Sequence, residues 1–147
     1  MSSPQNVLFL CTGNSARSII AEALLNARGG GRFRAFSAGS HPKDVVHPLA
    51  LEVLRRNGVA YERARSKSWK EFTTPDAPPL DLVITVCHHA AQEVCPVWPG
   101  RPTTEHWDIP DPAAVEGTDD ERRRAFDNAY QDLFGRIELV IQPRQSI

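Results

Sequence analysis

The sequence predicts a single α/β domain, a three-layer sandwich in which helices cover a four-stranded parallel sheet. Short apolar segments alternate with longer segments of helical periodicity, which is the order typical of parallel α/β folds. Two of the apolar segments, residues 7–11 and 80–87, contain few polar side chains, as expected for strands buried on both faces. The 147 residues suffice for one hydrophobic core, so we predict one domain over residues 1–147.

The first strand, residues 7–11, leads directly into a helix. Residues 12–15 are turn formers, and apolar side chains from Ile19 to Ala27 then recur at the spacing of one helical face. We expect Ser15 to cap the N-terminus of this helix, and the three glycines that begin at Gly29 to end it.

The same signals define the next elements. Residues 32–39 alternate well enough for a second strand. Pro48 begins a second helix, and Asn57-Gly58 ends it. The third strand is the apolar segment 80–87, so strands and helices continue to alternate.

The last third of the chain supplies one short strand and one long helix. Four prolines between positions 96 and 110 leave room only for a short fourth strand over residues 103–108. Residues 119–141 place six large apolar side chains on one helical face, and we expect this helix to close the fold.

Composition excludes several classes of function. Seventeen Lys and Arg residues against eighteen Asp and Glu give a net charge of −1, so no nucleic-acid or membrane partner is expected. Residues 1–73 carry a net charge of +6 and residues 74–147 carry −7, which favours an anion site in the first half. No signal-peptide pattern is present, and no apolar run is long enough to cross a bilayer, so we expect a cytoplasmic protein.

The loop at residues 11–18 has the features of an anion cradle. Cys11 ends a strand, Arg17 follows six positions later, and a helix begins between them. Backbone N–H groups, the helix dipole and a guanidinium fork would together bind a tetrahedral oxyanion. Gly13 and Asn14 tolerate the positive φ angles of a tight loop, and the same positive field is expected to lower the pKa of Cys11.

The sequence offers two other candidate sites, both of which it disfavours. Zinc ligation is disfavoured because the C-x7-C spacing lacks the short intervals of structural zinc sites, and we predict no metal; the candidate ligands would be Cys87, His88, His89, Cys95 and His106. The hydroxyl-rich residues 12–15 are also compatible with a flavodoxin-like flavin site, but Cys11 and Arg17 fit that function poorly.

Seven further motifs occur in one order along the chain. They are Ser37-Ala38-Gly39, Val46-His47-Pro48, Arg65-Ser66-Lys67-Ser68-Trp69, Val86-Cys87, Cys95-Pro96, His106-Trp107 and Pro110-Asp111-Pro112. Together with the loop, they resemble the arsenate reductase branch of the low-molecular-weight protein tyrosine phosphatase superfamily. The resemblance implies that fold, with Cys11 as the nucleophile. It also implies an oxyanion-binding loop made of Thr12, Gly13, Asn14, Ser15, Ala16, Arg17 and Ser18.

The resemblance also implies roles for single residues. Asn14 would shape the loop, and Ser18 would donate a hydrogen bond to the thiolate. Asp111 would protonate the departing oxygen, a task that a loop carboxyl can perform on general chemical grounds. Asp108 is a rival for that role, because it lies only three residues earlier.

Cys87 and Cys95 distinguish a reductase from a phosphatase, because reducing arsenate needs two electrons and thiols supply them by forming a disulfide. We therefore predict arsenate reduction, with a low-molecular-weight phosphatase as the alternative. No bound cofactor is expected. The external reductant would be thioredoxin, glutathione with glutaredoxin, or mycothiol, and the substrate arsenate or a phosphate-like oxyanion.

Overall fold

The predicted strands form one parallel sheet in a computed structural model that describes residues 4–87, 98 and 100–142. The strands lie in the order β2-β1-β3-β4, and all three neighbouring pairs are parallel. Their bounds are β1 Gln5–Leu10, β2 Phe33–Ala38, β3 Leu82–Thr85 and β4 Thr103–His106. The predicted α/β class with a four-stranded parallel sheet is therefore confirmed.

Three α-helices accompany the sheet in the described part of the chain. They are α1 Arg17–Arg28, α2 Pro48–Arg56 and α3 Asp119–Ile141. Two short 3₁₀ helices lie at Trp69–Phe72 and Pro112–Ala114. None of the described helices is long and apolar enough to cross a membrane.

The core lies around β1, which runs between β2 and β3. Its last four residues, Val7, Leu8, Phe9 and Leu10, are at most 1% exposed, as expected for a strand covered on both faces. Helix α1 packs on β2, and Asn26 of α1 fixes that contact. The Asn26 side chain accepts a hydrogen bond from the Ala35 backbone N–H (2.9 Å) and donates to the Ala35 carbonyl (3.1 Å).

Helix α3 begins as its sequence dictates. Thr118 precedes the helix, and its hydroxyl accepts a hydrogen bond from the Glu121 N–H (3.1 Å). The Glu121 carboxylate in turn accepts a hydrogen bond from the Thr118 N–H (3.3 Å). This reciprocal pair is a capping box. Along the helix Phe126, Leu133 and Ile137 are almost completely buried, so the apolar face that the sequence predicts is the one that packs.

All four strands differ from their predicted bounds by one or two residues: β1 covers Gln5–Leu10 rather than 7–11, and β2 covers Phe33–Ala38 rather than 32–39. Strand β3 is two residues shorter at each end than the predicted 80–87, and β4 ends at His106 rather than at residue 108. The apolar pattern continues because Leu80, Val86 and Cys87 are buried outside the strand pairing. Burial and ladder hydrogen bonding are separate properties, and an apolar run reports only the first.

The order of the strands determines where a ligand site is expected in this fold. The chain passes from β1 to β2 on one side and later returns to β3 on the other side of β1. In open parallel sheets ligands bind beyond the carboxyl ends of the strands at such a reversal. Cys11 follows β1 directly and Cys87 follows β3 by two residues, so both lie at this point.

Candidate active site

The loop at residues 11–18 is fixed by Asn14, which is completely buried. Its backbone has a φ of 43°, the positive value predicted for this position. The Asn14 amide donates to Ser18 Oγ (2.8 Å), and its Oδ1 accepts from the Lys67 backbone N–H (2.8 Å). One side chain thereby joins the loop, the first turn of α1 and a distant segment.

Gly13 has a different role from the one predicted. Its φ is not positive, so the expectation of a left-handed conformation there is wrong. A Cβ at this position would instead lie 3.2 Å from Cε of Lys43. Gly13 leaves room for the aliphatic chain of Lys43, which lies across the loop.

A second segment holds the outer side of the loop. The backbone N–H groups of His41, Lys43 and His47 donate to the carbonyls of residues 12, 13 and 15 at 2.8–3.0 Å. In a trans peptide the carbonyl and the next N–H point in opposite directions. The N–H groups of residues 13 and 16 therefore point away from this segment, and both residues line the pocket described below.

Helix α1 begins without a side-chain cap in the described structure. The residue at the cap position is Ala16, so the prediction that Ser15 caps the helix is wrong. A serine cap would occupy a first-turn N–H group with its own oxygen. With Ala16 at that position, the N-terminal N–H groups and the positive end of the helix dipole remain available to an anion.

Arg17 joins the loop to a segment more than ninety residues later. Its side chain is 13% exposed; Nη1 donates to the Ile109 carbonyl (2.9 Å), and Nη2 lies 3.6 Å from Asp111 Oδ2. The other Asp111 oxygen accepts from the Ala113 N–H (3.0 Å). Asp111 lines the pocket, whereas Asp108 is not among the lining residues in the described part of the chain.

Cys11 and Cys87 lie side by side, and both are buried. The Thr12 N–H donates to Cys87 Sγ at 3.3 Å, and the Thr12 hydroxyl lies 3.7 Å from the same sulfur. Cys11 is hydrogen-bonded to Cys87. The structure thus brings together the two cysteines that the sequence placed at neighbouring strand ends, while Cys95, His88 and His89 lie outside the described residues.

The pKa of Cys11 is raised, so the expected lowering is wrong for this arrangement. The largest cause is the hydrogen bond with Cys87, followed by desolvation through burial. Arg17 lowers the pKa, as the sequence suggested, but its effect is smaller than these two causes. Two adjacent thiols lose their protons in coupled steps, because a second anion beside the first is disfavoured.

These groups surround one pocket of about 360 Å³. Its described lining residues are Cys11, Thr12, Gly13, Ser15, Ala16, Arg17, His41, Lys43, Cys87, Asp111 and Ala113. A sulfur nucleophile, a guanidinium, a carboxyl and a second thiol are therefore within one cavity. Such a set can bind a tetrahedral oxyanion, form a bond to it through sulfur, supply a proton and deliver two electrons.

A buried ionic cluster supports the loop from Lys67. The Lys67 ammonium donates to the Arg65 carbonyl (2.7 Å) and lies 3.8 Å from Glu22 Oε1. Ser37 donates a hydrogen bond to the same carboxylate. Burial raises the pKa of Glu22, and Lys67 opposes that rise. Lys67 belongs to the motif Arg65-Ser66-Lys67-Ser68-Trp69, but the spacing of the sequence does not predict its contact with Asn14.

Comparison with known proteins places this site in context. Residues 6–141 match the family model described as low molecular weight phosphotyrosine protein phosphatase. An arsenate reductase of Halalkalibacterium halodurans is 35% identical over 136 residues, which are 92% of this chain and 94% of the relative.

Solved structures agree in fold. A thioredoxin-dependent arsenate reductase of Corynebacterium glutamicum has a TM-score of 0.63 and 34% identity over 95% of this chain, which spans 65% of that longer chain. A structure titled an arsenate reductase in the phosphate binding state has a TM-score of 0.72 and 25% identity, and covers 93% of this chain and 96% of that one.

Proposed function

Because the chain belongs to the low molecular weight phosphotyrosine protein phosphatase family, we propose that it is an arsenate reductase of that family. Arsenate would bind in the pocket at residues 11–18, and Cys11 would be the nucleophile. The sequence relative from H. halodurans and the structural relative from C. glutamicum both carry the name arsenate reductase. The substrate therefore follows from these relatives together with the chemistry of the pocket.

The observation that carries the proposal is the second thiol. Hydrolysis of a phosphate ester through a cysteine needs only water to regenerate the enzyme, whereas reduction of arsenate needs an electron pair. Cys87 contacts both Cys11 and the Thr12 N–H. A thiol in that position can attack the sulfur of an adduct on Cys11 without a large movement of the chain.

The first step is binding and attack on arsenic. Arg17 offers a planar guanidinium, and the N-terminal N–H groups of α1 add donors for the remaining oxygens. The Cys11 thiolate forms a bond to As(V), and one arsenate oxygen leaves as water. Asp111 lies in the pocket, 3.6 Å from Arg17, and we assign to its protonated form the protonation of that leaving oxygen.

The second step transfers electrons. The Cys87 thiolate attacks the Cys11 sulfur, which forms a Cys11–Cys87 disulfide. The electron pair of the sulfur–arsenic bond stays on arsenic, so As(V) becomes As(III) and arsenite departs. The two thiols lose two electrons, which balances the reduction. The Thr12 N–H that contacts Cys87 stabilises the sulfur while it is a thiolate.

Another thiol must then open the disulfide. In one route Cys95 attacks Cys87 and a redox protein such as thioredoxin reduces the resulting pair. In the other route glutathione with glutaredoxin, or mycothiol, acts directly on the first disulfide. No bound cofactor takes part in either route, and Cys95 is required in only the first.

The test is turnover of arsenate with each reductant in turn. We expect arsenite to form with at least one of the three donors, and Cys11→Ser and Cys87→Ala to abolish its formation. Cys95→Ser distinguishes the routes, because it stops only the thioredoxin-coupled cycle. Absence of arsenite with all three donors, together with rapid hydrolysis of an aryl phosphate, would refute the proposal.

The alternative is a low molecular weight phosphatase, which the family match itself favours. It would form a phosphocysteine on Cys11, and Asp111 would protonate the alcohol that leaves. Ala113 stands after Asp111-Pro112, where an aromatic ring would be expected to hold a phenyl phosphate. Phosphatase turnover that survives Cys87→Ala at full rate would support this alternative.

A further inference from the structure

Lys43 is a second cation at the pocket, and no sequence motif points to it. It lies in the segment after β2, and it is one of the residues that line the cavity. The aliphatic part of its side chain lies over Gly13, with Cγ, Cδ and Cε all 3.2–3.4 Å from where a Cβ would stand. This contact directs the chain along the oxyanion loop.

The backbone around Lys43 is fixed on the loop. Its own N–H donates to the Gly13 carbonyl (3.0 Å), and the Asp44 N–H donates to Ser66 Oγ (3.2 Å). Ser66 Oγ in turn donates to the same Gly13 carbonyl (3.3 Å). Asp44 has a φ of 65°, and the chain bends directly after Lys43. These contacts keep the base of the lysine in one place.

The charges of the pocket leave Lys43 available for an anion. Arg17 is paired with the Asp111 carboxylate at 3.6 Å. No carboxylate in the described part of the chain lies within ion-pair distance of the Lys43 ammonium. Among the described residues, therefore, Arg17 is partly neutralised by a carboxylate and Lys43 is not.

We propose that Lys43 is a substrate-binding residue whose ammonium contacts the oxyanion at the mouth of the pocket, and that Gly13 lacks a side chain so that Lys43 can lie there. The inference rests on the proposed function for the identity of the substrate, but the anion contact itself applies to any tetrahedral dianion. Lysine binds such an ion as a compact point charge and complements the flat fork of Arg17.

The experiment compares Lys43→Met, Lys43→Arg and the matched control Lys70→Met. Lys70 is an exposed lysine outside the pocket, and methionine keeps the aliphatic chain while removing the charge. Affinity for arsenate, phosphate and sulfate is measured by calorimetry at low and high salt. Steady-state arsenate reduction is measured in parallel, so that KM and kcat are separated.

We expect Lys43→Met to weaken anion binding and raise KM by about threefold to tenfold at low salt, between the values typical of an exposed ion pair and of a charged hydrogen bond. The loss should shrink at high salt. Lys43→Arg should restore most of the affinity, Lys70→Met should leave it unchanged, and kcat should change little in all three variants. Affinity in Lys43→Met equal to that of Lys70→Met would overturn the proposal.

A second measurement tests the placement over Gly13. Gly13→Ala should weaken anion binding more in the wild-type background than in Lys43→Ala, because the added methyl group displaces the lysine. Equal losses in both backgrounds would contradict the placement. Calorimetry requires no turnover, so a protein that binds anions through Lys43 but does not reduce arsenate would refute the proposed function and leave this inference standing.

Discussion

Removing the Cys87 thiol should make Cys11 more reactive, although it abolishes arsenate reduction. The hydrogen bond with Cys87 is the largest cause that raises the pKa of Cys11, ahead of burial, and Arg17 acts in the opposite direction. Cys87→Ala removes that cause and leaves Arg17 in place. The pKa of Cys11 should therefore fall, and a larger fraction of Cys11 should be thiolate at neutral pH.

The size of the effect can be worked from thiol chemistry. Well below the pKa, each pKa unit of lowering increases the thiolate fraction about tenfold. Intrinsic nucleophilicity falls with the pKa at a Brønsted slope of about 0.4–0.5, so each unit of lowering makes the thiolate itself about threefold less reactive. The observed rate of alkylation at neutral pH should thus rise about threefold to fourfold per unit, and the midpoint of the pH–rate profile should move to lower pH.

The assay is alkylation of Cys11 by iodoacetamide, followed by mass spectrometry of the peptide that contains it across a range of pH. Comparing Cys95→Ala with the double variant Cys87→Ala and Cys95→Ala keeps all other thiols constant. Phosphate should slow the reaction in both proteins, because it occupies the same pocket. A midpoint that stays in place or moves to higher pH in the double variant would refute the assignment of Cys87 as the dominant cause.

Three further outcomes follow from the structure. Asp111→Asn should lower turnover by about 10²–10⁴-fold while Asp108→Asn has little effect, and equal losses in arsenite formation would show that the acid is misassigned. Gly39→Ala should abolish phosphate binding in calorimetry, because its Cβ would stand 2.4 Å from the Thr12 carbonyl oxygen. The control Gly135→Ala meets nothing within 4 Å and should retain binding and stabilise α3 by up to about 1 kcal/mol. Thr118→Ala breaks the capping box and should lower the free energy of unfolding by about 1 kcal/mol in urea titrations; an unchanged midpoint would count against that cap.

The fold could be predicted from the sequence because the apolar periodicity agrees with the residues that begin and end each helix. Residues 119–141 repeat apolar side chains at helical spacing, and α3 has those bounds. Pro48 and Asn57-Gly58 bracket α2 for the same local reasons. The order of the strands had no such signal, because it depends on which side of β1 each later strand packs.

The sequence predicts only part of the candidate site. Strand ends correctly suggested that Cys11 and Cys87 meet, but the spacing could not reveal that their contact raises the pKa of Cys11. Gly13 was assigned a backbone role, whereas the side chain of Lys43, thirty residues away, explains it. The contact of Arg17 with the Ile109 carbonyl could not be predicted either, because tertiary packing alone brings such distant segments together.

The exposed strand β4 bears on how the molecule avoids self-association. Every residue of Thr103–His106 is exposed, and β3 is its one neighbour in the described sheet. An unpaired row of strand N–H and C=O groups is a template for cross-β polymerisation. Here the row is only four residues long, contains Glu105 and no large aliphatic side chain, and follows Pro102, which has no N–H to offer. The segments most prone to amyloid-like stacking, such as β1, are at the centre of the sheet, and the edge strand has a composition that discourages further growth.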